Sequence, residues 1–85
     1  NYPNPFNPAT AFNYSLANSG TIELTITDII GRKVTTLISG YQRSGHHNVL
    51  WTGRDTNGNQ VPSGVYFFNL KSGSKTITKK MTLSK

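Results

Sequence analysis

Apolar side chains recur at every second position through much of this chain. Phe12, Tyr14 and Leu16 alternate with polar neighbours, and Ile22, Leu24 and Ile26 do the same against Glu23, Thr25 and Thr27. Alternation with a period of two places one set of side chains on one face of a strand, so both runs predict half-buried strands. Asp28 breaks the second run, and Ile29-Ile30-Gly31-Arg32 reads as a turn that tucks an isoleucine inward. Val34, Leu37 and Ile38 form a third run whose phase slips once, which predicts a bulge or bend. In the fourth run His47, Val49 and Trp51 share a face. The polar stretch from Thr52 to Gly64 then carries Asn57-Gly58, a strong hairpin-turn dipeptide, at its tip. Val65-Tyr66-Phe67-Phe68-Asn69-Leu70 is the most apolar segment and suits a central strand. The last run, Thr76 to Leu83, has Ile77, Met81 and Leu83 in one phase with Lys79 interrupting it.

No segment repeats apolar residues at helical spacing, and threonine occurs eleven times against three alanines. Six or seven short strands separated by turn signals predict an all-β fold, an immunoglobulin-like antiparallel sandwich of about seven strands filling residues 1–85 as one domain. The opening Tyr2-Pro3-Asn4-Pro5-Phe6-Asn7-Pro8 holds three prolines and so cannot be a central strand. It is expected to run extended along an edge, with Tyr2 and Phe6 turned inward.

Charge changes the picture at one end. Nine Lys and Arg oppose Glu23, Asp28 and Asp55, a net charge of +6, and Lys75, Lys79, Lys80 and Lys85 fall in the last eleven residues. Lysines on an edge strand commonly guard against strand-to-strand aggregation; the functional alternative is that the strand is displayed to a receptor or an anionic surface. No aromatic and arginine platform accompanies the charge, so nucleic acid is not expected as a partner. The chain has no cysteine, no apolar run long enough for a membrane helix and no signal peptide; starting at Asn1-Tyr2-Pro3, it reads as a piece of a longer polypeptide.

Candidate chemistry is sparse. His46 and His47 are adjacent, hence on opposite faces of a strand, and do not make a metal pair. Asp55-Thr56-Asn57-Gly58-Asn59-Gln60 resembles the start of a calcium loop, but glutamine and tyrosine stand where glycine and glutamate belong, so a turn closed by the Asp55 carboxylate is the better reading. Trp51 could stack on a sugar with Tyr41 or Tyr66, but it shares a phase with Val49 and reads as core. Asn13-Tyr14-Ser15 fits a glycosylation sequon in mid-strand, where it reads as chance. No nucleophile elbow occurs. Neither catalytic residues, nor a metal, nor a cofactor are expected.

These residues, taken in order, resemble a known family. The opening Asn1 to Thr10, Asp28-Ile29-Ile30-Gly31-Arg32-Lys33-Val34, Trp51-Thr52-Gly53-Arg54-Asp55, Asn57-Gly58, Ser63 to Leu70 and the closing Lys79 to Lys85 are similar to the type A C-terminal sorting domains of the type IX (Por) secretion system. One departure is Thr52, where the family carries an acid. The resemblance implies a non-catalytic sorting signal joined to an N-terminal cargo domain and recognised by outer-membrane secretion machinery and a sortase-like protease. It further implies a secreted or cell-surface location reached through the periplasm, with recognition at Gly64, Val65, Tyr66, Lys79, Lys80, Met81, Leu83 and Lys85. A dimer through edge strands is compatible with it. Trp51 to Leu70 also resembles the immunoglobulin-like domain of flagellar hook-capping proteins, which leaves the opening motif and the lysine-rich close unexplained. A carbohydrate-binding or spacer module of a secreted polysaccharide-degrading enzyme is the alternative function.

Overall fold

The computed structural model describes residues 9–84. They form six strands: β1 (Thr10–Leu16), β2 (Gly20–Asp28), β3 (Lys33–Gln42), β4 (Gly45–Trp51), β5 (Gly64–Ser72) and β6 (Lys75–Leu83). All pairings are antiparallel. β1 and β4 make a two-stranded sheet, and the order β3-β2-β5-β6 makes a four-stranded one. This is the all-β immunoglobulin-like sandwich expected, with six strands among the described residues where about seven were read. The extended path expected for Tyr2 to Pro8 lies outside the described residues.

The two alternating runs do what their patterns require. Phe12, Tyr14 and Leu16 of β1 and Ile22, Leu24 and Ile26 of β2 are all buried, and each strand turns its polar partners outward. β5 is central, flanked by β2 and β6, and contributes Tyr66, Phe68 and Leu70 to the core. β3 slips twice rather than once. Leu24 opposes Ile38 while Thr25 opposes Thr36, leaving Leu37 as an extra residue; Ile26 opposes Thr35 while Thr27 opposes Lys33, leaving Val34 as another. Each bulge puts an apolar side chain, half-buried, against the core.

Aromatic contacts join the layers. Phe12 stacks on Phe68 with ring centroids 4.6 Å apart, and Trp51 meets Tyr66 edge-on at 5.2 Å. Trp51 is 2% exposed, as its phase predicts, and its indole N–H donates to the Arg54 carbonyl at 2.9 Å. Tyr66 lies near the start of β5 and donates its hydroxyl back to the Pro62 carbonyl at 2.6 Å, the tyrosine-corner arrangement of such sandwiches. Both polar atoms are therefore buried with a partner. The Tyr14 hydroxyl is buried without one among the described residues.

Two loops share one mechanism. In Asp28-Ile29-Ile30-Gly31-Arg32, the Asp28 N–H donates to the Arg32 carbonyl, the Gly31 N–H donates to the Asp28 carbonyl, and Asp28 Oδ1 accepts from the Ile30 and Arg32 N–H groups. Asp55-Thr56-Asn57-Gly58-Asn59 repeats this bond for bond: Asp55 N–H to Asn59, Gly58 N–H to Asp55, and Oδ1 accepting from Asn57 and Asn59. The spacing Asp-x-x-Gly-x suffices, because the carboxylate closes its own turn and the glycine takes φ of 96° at Gly31 and 84° at Gly58.

Tyr66→Phe leaves the Pro62 carbonyl without its donor and should cost about 1–2 kcal/mol in urea unfolding. Tyr14→Phe, which removes a hydroxyl that has no partner among the described residues, should leave stability unchanged or raise it by up to about 1 kcal/mol in the same assay. Gly31→Ala and Gly58→Ala have open space for the methyl group, so strain alone acts. Each should lose about 1–2 kcal/mol, and by similar amounts, if the two loops are equivalent.

Candidate functional site

The twin loops stand side by side at one end of the sandwich. Thr56, in the second, donates both its N–H and its hydroxyl to the Val34 carbonyl just beyond the first, at 3.1 and 3.2 Å. Between them lies an open cleft of about 370 Å³, lined by Asp28, Arg32, Lys33, Val34, Asp55 and Val61 among others. Arg32 Nε donates to Asp28 Oδ2 at 2.9 Å, and Arg54 Nη1 donates to the Gly58 carbonyl at 2.8 Å. Desolvation pushes the Asp28 carboxyl up, but the Arg32 N–H, its guanidinium and the Ile30 N–H outweigh it and hold the group below its usual value. Burial raises the Tyr66 hydroxyl above its ordinary value, and the negative charge of Asp28, its cross-strand neighbour, raises it further. Asp28, Arg32 and Asp55 thus bond to the cleft's own walls.

Ile29 and Ile30 correct the sequence reading of this turn. Neither is tucked inward; both are 73% exposed at the loop tip. With Asp28 fixing the backbone on both sides, the loop's own bonds decide where the pair points.

The histidines behave as neighbours on a strand. His46 faces out and shares a 2.7 Å hydrogen bond with the Ser15 hydroxyl of β1. His47 stacks on Tyr14 at 5.2 Å, and its Nε2 lies 2.6 Å from the Arg43 carbonyl, so that nitrogen holds the proton. Among the described residues no three His, Cys, Asp or Glu side chains gather as metal ligands, and the Asp55 carboxylate closes its turn as read.

The residues expected to mediate recognition come together on one ladder but not in one role. Gly64 opposes Leu83, Val65 opposes Thr82, and Tyr66 opposes Met81. Tyr66 and Leu83 are core side chains, 6% and 2% exposed, so neither is displayed. Lys79 and Lys80 are exposed on opposite faces of β6: Lys80 opposes Phe67 on the outer face, whereas Lys79 leans inward, its Nζ 5.9 Å from the Phe12 ring centroid. Lys85 lies outside the described residues. On the outer face Asn69 donates to the Thr27 hydroxyl and accepts from that of Thr78, a row crossing three strands that the sequence reading did not single out. The sequence reading placed a turn at each loop and closed the second with Asp55, but did not match the Asp-x-x-Gly spacing that the two share.

Comparison with known proteins finds relatives of this fold. The basal-body rod modification protein FlgD of Salmonella typhimurium is 47% identical over 45 residues, 53% of this chain and 19% of that protein; its Salmonella typhi counterpart matches equally. The chain thus spans about a fifth of the length of these curated relatives. Among solved structures, FlgD of Pseudomonas aeruginosa superposes with a TM-score of 0.67 at 26% identity, covering 89% of this chain and 60% of that one. FlgD of Xanthomonas campestris, described in connection with hook capping essential for flagellar assembly, superposes with a TM-score of 0.67 at 22% identity, covering 91% and 56%. The second shows the fold alone.

These findings overturn the type IX sorting-domain resemblance and what it implied. A sorting signal for a secreted cargo, outer-membrane machinery and a sortase-like protease as partners, and a cell-surface location are all set aside, as is the polysaccharide-degrading alternative. The cause is physical. Asp28 to Val34, Trp51 to Asp55, Asn57-Gly58 and Gly64 to Leu70 are the residues that close the loops, seat the tryptophan and run through the sheet centre, so they report the sandwich rather than its employment. The weaker of the two resemblances was the right one. The FlgD Ig-like domain family matches residues 7–76, and the chain belongs to it.

Proposed function

We propose that this chain is one immunoglobulin-like module of a longer hook-capping-type protein and acts as a structural part during flagellar assembly, without chemistry of its own. The family match over residues 7–76 carries the reading. The Salmonella relatives, named for modifying the basal-body rod, and the Xanthomonas structure, described for hook capping, support it. Its partners are then hook and rod components, and its place is the growing basal body and hook.

The side chains that could have supplied chemistry agree with this role. His46 is held by Ser15, His47 by Arg43, Asp28 by its own loop and Arg32, and Asp55 by its own loop. Groups committed to neighbours in this way stiffen a scaffold. A rigid sandwich with fixed loop tips suits a part that must keep its shape within an assembly.

Excising residues 10–83 from the parent protein should abolish swimming and leave basal bodies without hooks in electron micrographs. Inserting the corresponding domain of the Pseudomonas aeruginosa protein should restore hooks, whereas an unrelated sandwich of equal size should not. Normal hooks after excision would overturn the proposal, and so would full rescue by the unrelated sandwich.

A further inference from the structure

Two strands do not cover four. β1 lies over β5, as the Phe12–Phe68 stack shows, and β4 adjoins β1 on one side only. On its other side β1 pairs with no strand among the described residues. The neighbouring inward face of β6 is open from Lys75 to Lys79, beyond which Met81 is half-buried against the core and Leu83 is buried. The ladder fixes which residues make up that face. Ile77 opposes buried Leu70, Lys79 opposes buried Phe68, Met81 opposes buried Tyr66, and Lys75 opposes Ser72, so all four share the inner side. Yet Ile77 is 55% exposed and Lys75 and Lys79 are exposed as well. A cavity of about 650 Å³ continues the opening between the end of β1 at Ser15 and Leu16 and the Leu70, Lys75 and Ile77 side chains.

We propose that the free edge of β1, with the inner face of β6 as its floor, is a docking groove for an extended, acidic segment of another protein, bound by strand addition. An open edge offers a row of backbone N–H and C=O groups to an incoming strand, and a floor of side chains gives it specificity. Read along β6, that floor is Lys75, Ile77, Lys79, Met81: a cation, an aliphatic, a cation, an aliphatic side chain. A complementary strand presents a carboxylate, an aliphatic side chain, a carboxylate and an aliphatic side chain at every second residue. No side-chain carboxylate of this chain competes there, because Glu23 lies on the outer face of β2 and those of Asp28 and Asp55 are engaged in closing their own loops. The net charge of +6 and the two floor lysines disfavour a second copy of this chain in the groove. The inference stands on the edge and its floor, and does not depend on the flagellar reading.

The test is to titrate the whole 85-residue chain with the capped peptide Glu-Thr-Val-Thr-Glu-Thr-Val and to follow amide hydrogen exchange by NMR. Protection should rise at least tenfold in β1 amides that β4 does not engage, and not along the free edge of β3. The double variant Lys75→Glu/Lys79→Glu changes two exposed side chains, so its fold should survive, as the unchanged amide spectrum of the free variant would show. It should bind this peptide at least tenfold more weakly and gain affinity for a peptide with lysine in place of glutamate. The proposal falls if protection appears on β3 or nowhere, or if charge reversal leaves binding unchanged. It also falls if those β1 amides are already protected before peptide is added, or if the free chain dimerises.

Discussion

The stack of Phe12 on Phe68, ring centroids 4.6 Å apart, is the contact on which the rest of the molecule depends. A two-stranded sheet on its own is marginal in water, so β1 and β4 persist only because they lie on the larger sheet. Phe12 and Tyr14 from above and Phe68 and Tyr66 from below supply the large surfaces that hold them there, with Trp51 closing one end. A chain with 34% hydrophobic residues has few other ways to bury enough area. The unequal layers follow from this economy. Four strands below and two above give a packed centre, and the margin above β6 is left open.

How much of this was legible in the sequence varies with the range of the forces involved. Alternation in β1 and β2 translated directly into buried faces, because a period of two is a property of each strand alone, and the apolar run of β5 marked the central strand. The bulges at Val34 and Leu37 were half legible: a broken phase announces an extra residue, but the number of slips depends on the partner strand. Ile29 and Ile30 were misread, since their hydrophobicity argued for burial while the hydrogen bonds of Asp28 decided the geometry of the tip. The exposure of Ile77 was not legible at all. Its phase marks it correctly as inward-facing, but whether anything covers that face depends on the opposite sheet, which no pattern within β6 encodes.

The misassigned family teaches a related lesson about motifs. Trp51 with Arg54, Tyr66 with Pro62, and the twin Asp-x-x-Gly loops each satisfy a local physical demand: a buried indole N–H, a buried hydroxyl, a turn needing positive φ. Any chain that meets those demands in the same order acquires similar words. Ordered motifs of this kind are strong evidence for the sandwich and weak evidence for what it is attached to. Function is better sought in features the fold does not require.

Two features meet that criterion. The loop tip spends a carboxylate and a positive-φ glycine to hold two isoleucines in solvent, at odds with their cost there. The β6 margin places lysines among aliphatic side chains on a face that would ordinarily be core. Lysines at an inward position do discourage chance pairing of edges, and that protection is itself a form of selectivity. An edge that repels basic strands while offering open backbone groups still admits an acidic one. The charge that keeps β1 from aggregating therefore also specifies which strand may join it.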